Sequence, residues 1–358
     1  MLGMAAFTAC SNDNEVAPPG PTVVRPDREG APRSFAIGFS TMPAEETIPS
    51  YINAFATAAR YGELVMINRA PPWEEFFPNH QPSEETNGTA RLEADLLDQY
   101  EGLSLVFAID PTDPVVQRER VANLPASVTP AEGFGNIDLR NAFVAYAGYV
   151  VRNYEPEYLA LGVEINMLRS RNPEQYRQFL SLYEEAYDSV KATHPETKVF
   201  PTFQLEDLEG LLGDVHASEW EVLDDFQGRM DVLAVSSYPY LAEEFRSAGD
   251  IREQYYLQLG EHFDGEILLV DTAYASAPIA GERVAGTEAD QDAFLQRLLQ
   301  DVEAAGYSGV IWRAAFDPQY AGTGALAVFR SIGLRLGDGT NKQAWNTWET
   351  WSLRPYEP

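Results

Sequence analysis

The chain has 358 residues, 45% of them hydrophobic and 12% aromatic. That is enough apolar surface for one large core or two ordinary domains, and too much for a disordered chain. A formal net charge of -30 and a pI of about 4.4 exclude nucleic acid as a partner, because a phosphate backbone would be repelled. The acidity is spread along the chain, and Lys191, Lys198 and Lys342 are the only lysines. Such a surface reads either as adaptation to salty water or as the Arg bias of a GC-rich genome.

The chain opens with "MLGMAAFTAC", a short apolar run ending in small residues and the single cysteine, Cys10. One cysteine excludes an internal disulfide. The run resembles a bacterial lipoprotein signal, in which the Cys is lipidated and becomes the mature N-terminus. That resemblance implies a secreted protein of the cell envelope or cell surface, held to the membrane only through a lipid on Cys10. Phe7 stands where Leu or Val is usual, and no Lys or Arg precedes the run. The alternative is an ordinary chain end with a chance Cys. Residues 11–32 are polar and Pro-rich and read as a flexible tether. No other apolar run reaches the ~20 residues that span a bilayer.

From residue 33 to 358 the chain alternates. Strands are read at "SFAIGFS" (34–40), "ELVMIN" (63–68), "LSLVFAID" (103–110), "YLALGVEI" (158–165), "KVFPTFQ" (198–204), "DVLAVSSY" (231–238), "EILLVDT" (266–272) and "SGVIWRA" (308–314). Helices lie between them. "IPSYINAFATAARY" carries Pro49 in its first turn. "DLRNAFVAYAGYVVRNY" takes Asp138 as its cap. "NPEQYRQFLSLYEEAYDSVKATH" has Asn172 as cap, Pro173 at the first helical position and Glu174 in the first turn. "TEADQDAFLQRLLQDVEAAG" begins at Thr287 and ends before Gly306. Near-continuous apolar strands are expected where both faces are buried, as in parallel sheets. Alternation of strand and helix implies right-handed crossovers. Eight such units predict an α/β fold, a single-domain (β/α)8 TIM barrel over 33–358. A doubly wound open sheet is the alternative, but the first strand–helix turn lacks the Gly-rich phosphate fingerprint.

Chemistry in such a barrel sits on the loops that follow the strands. The strand ends in order carry Ser40, Asn68 and Arg69, Asp110, Glu164 and Asn166, Gln204 with Glu206 beyond, Ser237 and Tyr238, Asp271, and Trp312 and Arg313. Trp73 lies on the loop after the second strand and Asp317 after the eighth. Aromatics, amides, Arg and carboxylates together suit a sugar, whose rings stack on aromatic faces and whose hydroxyls need paired donors and acceptors. The long stretches at about 69–88 and 111–137 are expected to wall the cleft. The four histidines share no metal-ligand spacing, so neither metal nor other cofactor is expected.

"LGVEIN" at the fourth strand resembles the "GNE" strand of the large (β/α)8-barrel glycoside hydrolase clan, with the endo-β-1,4-galactanase-like and related endoglycanase families nearest. The resemblance covers about residues 34–352 and includes "DVLAVSSYPY", "ILLVDTAYAS", "GVIWRAAFDP" and "GLRLGDGTNKQAWNTW". It implies a carbohydrate substrate, Glu164 as general acid/base and Asp271 as nucleophile or base. One carboxyl would protonate the departing oxygen while the other attacks the anomeric carbon or activates water. It also implies Tyr238 bonded to the strand-seven carboxylate, Trp312 as floor of the neighbouring sugar site and Trp73 as a more distant platform; the strand-end reading adds Asn68, Arg69, Asn166 and Gln204 as further substrate contacts. By analogy with tethered glycanases the chain is expected to be a monomer.

Two positions depart from the clan. Val163 replaces the Asn that binds the sugar 2-hydroxyl, and Asp271 replaces a Glu. A carboxylate shorter by one methylene retreats by roughly 1.5 Å, about one C–C bond. A retaining pair stands about 5–5.5 Å apart and an inverting pair about 6.5–9.5 Å, so Asp271 favours inversion or an inactive site. The competing functions are therefore a non-catalytic glycan-binding lipoprotein and a barrel with other chemistry at Asp110, Glu206 or Asp317. At single residues, Glu164 could instead pair structurally with Arg69 or Arg313, Asp271 could cap a turn, and Trp312 could be core. The Tyr and Leu spacing of "QYRQFLSLYEEAY" predicts a helix face packed on the barrel.

Overall fold

The structure is a computed structural model that describes residues 20–213, 216–278, 286–321 and 324–358. Cys10 therefore lies outside the described residues. Nine strands form one sheet: β1 (Ala36–Ser40), β2 (Leu64–Arg69), β3 (Ser104–Ile109), β4 (Tyr158–Ala160), β5 (Lys198–Phe200), β6 (Thr202–Gln204), β7 (Val232–Ser237), β8 (Glu266–Thr272) and β9 (Gly309–Trp312). Their order is β5-β4-β3-β2-β1-β9-β8-β7-β6. The two ends of that order, β5 and β6, are consecutive in the chain and separated only by Pro201. Proline has no N–H to give to a ladder, so the expected fifth strand is cut in two. This is the connectivity of a (β/α)8 barrel in which β5 and β6 together form barrel strand five, and β8 is barrel strand seven.

The helices are α1 (Ile48–Tyr61), α2 (Glu84–Gln99), α3 (Ile137–Tyr154), α4 (Ile165–Arg171), α5 (Pro173–Thr193), α6 (Leu205–Leu208), α7 (Leu259–His262), α8 (Glu288–Ala305) and α9 (Gln343–Ser352). Three expected starts hold. Thr47, Asn172 and Thr287 accept from the backbone N–H of Ser50, Gln175 and Asp290. The start of α3 differs: the cap is Asn136, whose side chain accepts from Asp138 and Leu139 at 3.0 and 3.2 Å. None of the helices described is long and apolar enough to cross a membrane.

By contacts the chain divides into two compact units. The first, over 67–203 and 221–231, holds β3, β4 and β5 with α2 to α5. Here β4 pairs in parallel with β3 and β5. The buried face of α5 is Gln175, Tyr176, Phe179, Leu182, Tyr183, Ala186 and Val190, the packing stripe that the Tyr and Leu spacing implied. The second unit, over 22–66, 204–220 and 232–358, holds β1, β7, β8 and β9 with α1 and α6 to α9. Its closing helix α9 buries Trp345 and Trp348 completely. Trp348 packs on Phe39 of β1 at 4.4 Å between centroids and donates to the Tyr61 carbonyl. Gly38 is required where β1 meets β2, since a Cβ there would stand 2.0 Å from the Leu64 oxygen.

Candidate active site

In the first unit, the expected strand 158–165 is shorter than its sequence suggests. The ladder ends at Ala160, although Gly162 still accepts from Thr202 N–H at 2.9 Å. Glu164 then turns the chain with φ 52° and ψ 47°, and Ile165 opens α4. Left-handed backbone at a non-Gly residue costs roughly 1–3 kcal/mol and clusters at functional sites. Thr202 steadies the turn by accepting from Glu164 N–H through its hydroxyl at 2.9 Å. Asn166 is accordingly a buried residue of the first helical turn and not a strand residue.

The Glu164 side chain is held by a residue with no distinctive sequence pattern. Arg118, on the loop after β3, donates through Nε to Glu164 Oε2 at 2.9 Å and through Nη1 to both oxygens of Asp110 at 2.6 Å. All three residues are buried. Burial alone would lower the Arg118 pKa, but Asp110 and Glu164 raise it above the usual value. Burial pushes the Asp110 carboxyl up, against the pull of Arg118. The structural pairing weighed for Glu164 therefore exists, but with Arg118. Arg69 is committed to Glu93 of α2 at 2.6 Å and to Tyr154 of α3, and Arg313 belongs to Asp271.

Clefts open in this unit. One of about 580 Å³ is lined by Asp110, Thr112, Asp113, Arg120 and Gln175 among others. A neighbouring one of about 570 Å³ is lined by Arg69, Trp73, Glu75, Thr86, Tyr146 and Tyr149 among others. Both share Asn123 to Ala126, within the 111–137 stretch, as a wall, and Glu164 lines neither. Trp73 does not offer an open platform. It is 2% exposed, its Nε1 donates to the Ala122 carbonyl, and its ring lies against Phe143. Asn68 is half-buried near the end of β2.

In the second unit, Asp271 is likewise on left-handed backbone, φ 60°. The registers of β8 with β7 and with β9 both slip around it. Such bulges re-aim a side chain and recur beside active sites. Arg313 binds Asp271 Oδ2 and donates to the Tyr238 hydroxyl at 2.9 Å. Asp271 Oδ1 is buried and has no hydrogen-bond partner. The carboxylate is thus not a turn cap. Tyr238 reaches it by way of the guanidinium.

Trp312 differs from expectation. It is fully buried, its Nε1 donates to the Ile332 carbonyl at 2.8 Å, and it packs against Phe294. No face is left for a sugar. Gln204 is structural: its Oε1 accepts from Asp207 N–H at 2.5 Å and its Nε2 donates to Glu206. Glu206, fully buried, also accepts from Ser237 Oγ at 2.6 Å and Tyr238 N–H at 2.9 Å. Burial pushes its carboxyl up to about 7. Asp317 is held by Lys342 and Gly333 N–H. Among the described residues no group of three or more His, Cys, Asp or Glu could hold a metal ion.

No protein-family model matches the chain, and no curated protein matches it in sequence. Solved structures do. An exo-β-1,4-mannosidase from an Opitutaceae bacterium aligns with TM-score 0.66 at 15% identity, over 92% of this chain and 61% of its own. This chain therefore spans less than two thirds of that enzyme. A GH53 catalytic domain from Ignisphaera aggregans aligns with TM-score 0.58 at 15% identity, over 94% and 100% of the two chains. A GH5_18 protein from Bifidobacterium longum, in complex with Manβ1-4GlcNAc, aligns with TM-score 0.66 at 17% identity, over 90% and 80%. The fold is the one that GH5 and GH53 glycoside hydrolases share.

Proposed function

We propose that the protein is a glycoside hydrolase acting on a poly- or oligosaccharide, with Glu164 as general acid/base and Asp271 as nucleophile or base. One observation carries this reading. The carboxylates ending barrel strands four and seven are the residues held on left-handed backbone there, Glu164 at φ 52° and Asp271 at φ 60°. Chance strand ends need no strain. Carboxylates aimed for chemistry justify it. The β-1,4-mannosidase neighbour and the endo-β-1,4-galactanase-like resemblance of the sequence make β-1,4-linked mannan and galactan oligosaccharides the first substrates to assay.

Glu164→Gln keeps the shape and removes the proton. It is expected to lower kcat by about 10²–10⁴-fold, the usual contribution of general acid–base catalysis. Undiminished turnover would remove Glu164 from the reaction. An NMR assay of the first-formed anomer then assigns retention or inversion, with the shorter Asp271 favouring inversion.

A second reading is favoured by a different observation. Arg118 and Arg313 each clamp one candidate carboxylate, and an ion-paired carboxyl is a poor proton donor. Together with Val163 this supports a glycan-binding protein without turnover. Tight glycan binding with no hydrolysis of any substrate would establish it. Anchoring through a lipid on Cys10 belongs to either reading, and mass spectrometry of the mature N-terminus tests it.

A further inference from the structure

We propose that Glu206 is a positioning residue for Asp271: it fixes the end of β7, so that Tyr238 holds Arg313 and Arg313 holds one oxygen of Asp271. The geometry carries this. Glu206 lies two residues past the end of β6, and β6 and β7 are neighbours in the sheet. Its Oε1 accepts from Ser237 Oγ at 2.6 Å and its Oε2 from Tyr238 N–H at 2.9 Å. Ser237 is the last residue of β7 and Tyr238 the next. At its other end Tyr238 accepts, through its hydroxyl, from Arg313 Nη1 at 2.9 Å, and the same Nη1 donates to Asp271 Oδ2. Every link lies within the second unit.

The strand ladder alone does not fix this end of β7. Its register on β8 shifts between Val235 and Ser237, and that of β8 on β9 shifts between Leu269 and Thr272, around Asp271. Such irregularities disrupt the ladder locally. Glu206 supplies a constraint from the opposite neighbour, β6. It is fully buried, and the Gln204 amide, the Ser237 hydroxyl and the Tyr238 N–H all reach it. The Ser237 hydroxyl is itself bonded to that of Tyr256 at 2.9 Å. A buried polar network whose members are satisfied rigidifies what it joins.

Arg313 passes the constraint on. Its Cζ lies 4.3 Å from the Phe329 ring centroid and 5.8 Å from that of Tyr238, so the guanidinium is held against rings as well as by its hydrogen bonds. Asp271 Oδ2 is thereby committed to Arg313, while Oδ1 has no hydrogen-bond partner. Release of Tyr238 lets Arg313 shift, and the carboxylate then loses its fixed orientation. Use of that orientation in glycosidic cleavage rests on the hydrolase reading. The positioning does not.

The test reads the Arg313 guanidinium by 15N NMR in the full chain. Rotation of Nη1 is restricted while Asp271 and Tyr238 hold it, so its protons should give separate resonances, assigned by their loss in Arg313→Lys. Glu206→Ala should collapse them into the averaged guanidinium signal, and Tyr238→Phe should shift or collapse them. Glu206→Gln, which keeps an acceptor for Tyr238 N–H and a bond to Ser237, should retain them. Resonances unchanged in Glu206→Ala or in Tyr238→Phe, or lost as fully in Glu206→Gln as in Glu206→Ala, would overturn the proposal. Should Glu206→Ala not fold, Glu206→Asp, shorter by one methylene, takes its place and should move the same resonances. On an aryl glycoside, Glu206→Ala and Tyr238→Phe should each lower kcat by about 10²-fold, as a displacement of ~1 Å at the reacting groups does, with KM nearly unchanged. The double variant should be no slower than the slower single one, because both act through one chain of contacts. Losses that add would show two independent effects and overturn the chain. A wild type inactive on every glycoside would sink the hydrolase reading and leave the NMR result standing.

Discussion

At the scale of single residues, buried carboxylates divide by what satisfies them. Glu164 and one oxygen of Asp271 are paired with guanidinium groups, whereas Glu206 is satisfied by neutral donors: Ser237 Oγ, Tyr238 N–H and the Gln204 amide. Neutral donors do not repay burial of a charge, so its carboxyl is raised to about 7 from an ordinary 4.5. The other titratable groups around it, Tyr255, Tyr256 and Tyr240, are themselves raised by burial and stay neutral. A folded-state pKa above the unfolded one means that the native state binds more protons between pH 4.5 and 7. Stability from this group is therefore full below about 4.5, falls through that window, and is flat above 7, a loss of about 3 kcal/mol at 1.36 kcal/mol per pH unit. Urea unfolding of wild type against Glu206→Gln across pH 4–8 checks this. The variant should lack the decline. A parallel pH dependence in both proteins would show that Glu206 does not titrate in the window.

At the scale of elements, the legible parts were those whose signal is local. Pro49, Pro173 and the starts at Asn172 and Thr287 are marked by their own chemistry, and α1 begins and ends where its pattern says. Helix α2 left little trace because only Ala90, Glu93 and Leu96 are buried, and the middle one is a Glu held by Arg69. Its apolar stripe is interrupted at the position where it is best packed. The site followed the same rule. Glu164 and Asp271 stood out as candidates because each follows an apolar strand. Arg118 was not, because its role arises from an ion pair 46 residues distant in the chain. Trp73 and Trp312 were misread because an aromatic at a strand end looks alike whether its face meets solvent or Phe143 and Phe294. The α3 start gives an element-level test. Asn136→Ala should cost about 1 kcal/mol through loss of the two cap bonds, while Asp138→Ala should lose only its macrodipole contribution, about 0.3 kcal/mol. Equal losses in denaturant unfolding would return the cap to Asp138.

At the scale of the whole molecule, the charge of -30 is a global term that no local pairing removes. The ion pairs that are buried, such as Arg33 with Glu63 at 2.6 Å and Lys342 with Asp317 at 2.6 Å, are shielded from solvent and respond weakly to salt. The remaining acidic surface is not shielded, and its self-repulsion opposes compaction. Screening shortens from about 10 Å at 0.1 M to about 3 Å at 1 M, so added salt relieves the repulsion and leaves the buried pairs nearly unchanged. The melting temperature should therefore rise on the order of 5 °C between low salt and about 1 M NaCl. Sodium chloride, not sulfate, is the appropriate salt, because sulfate also strengthens apolar burial. A rise that levels off within this range is the signature of screening. A melting temperature that falls with NaCl would mean that surface ion pairs outweigh the repulsion, and that the acidic, lysine-poor composition gives the protein no advantage in salty water.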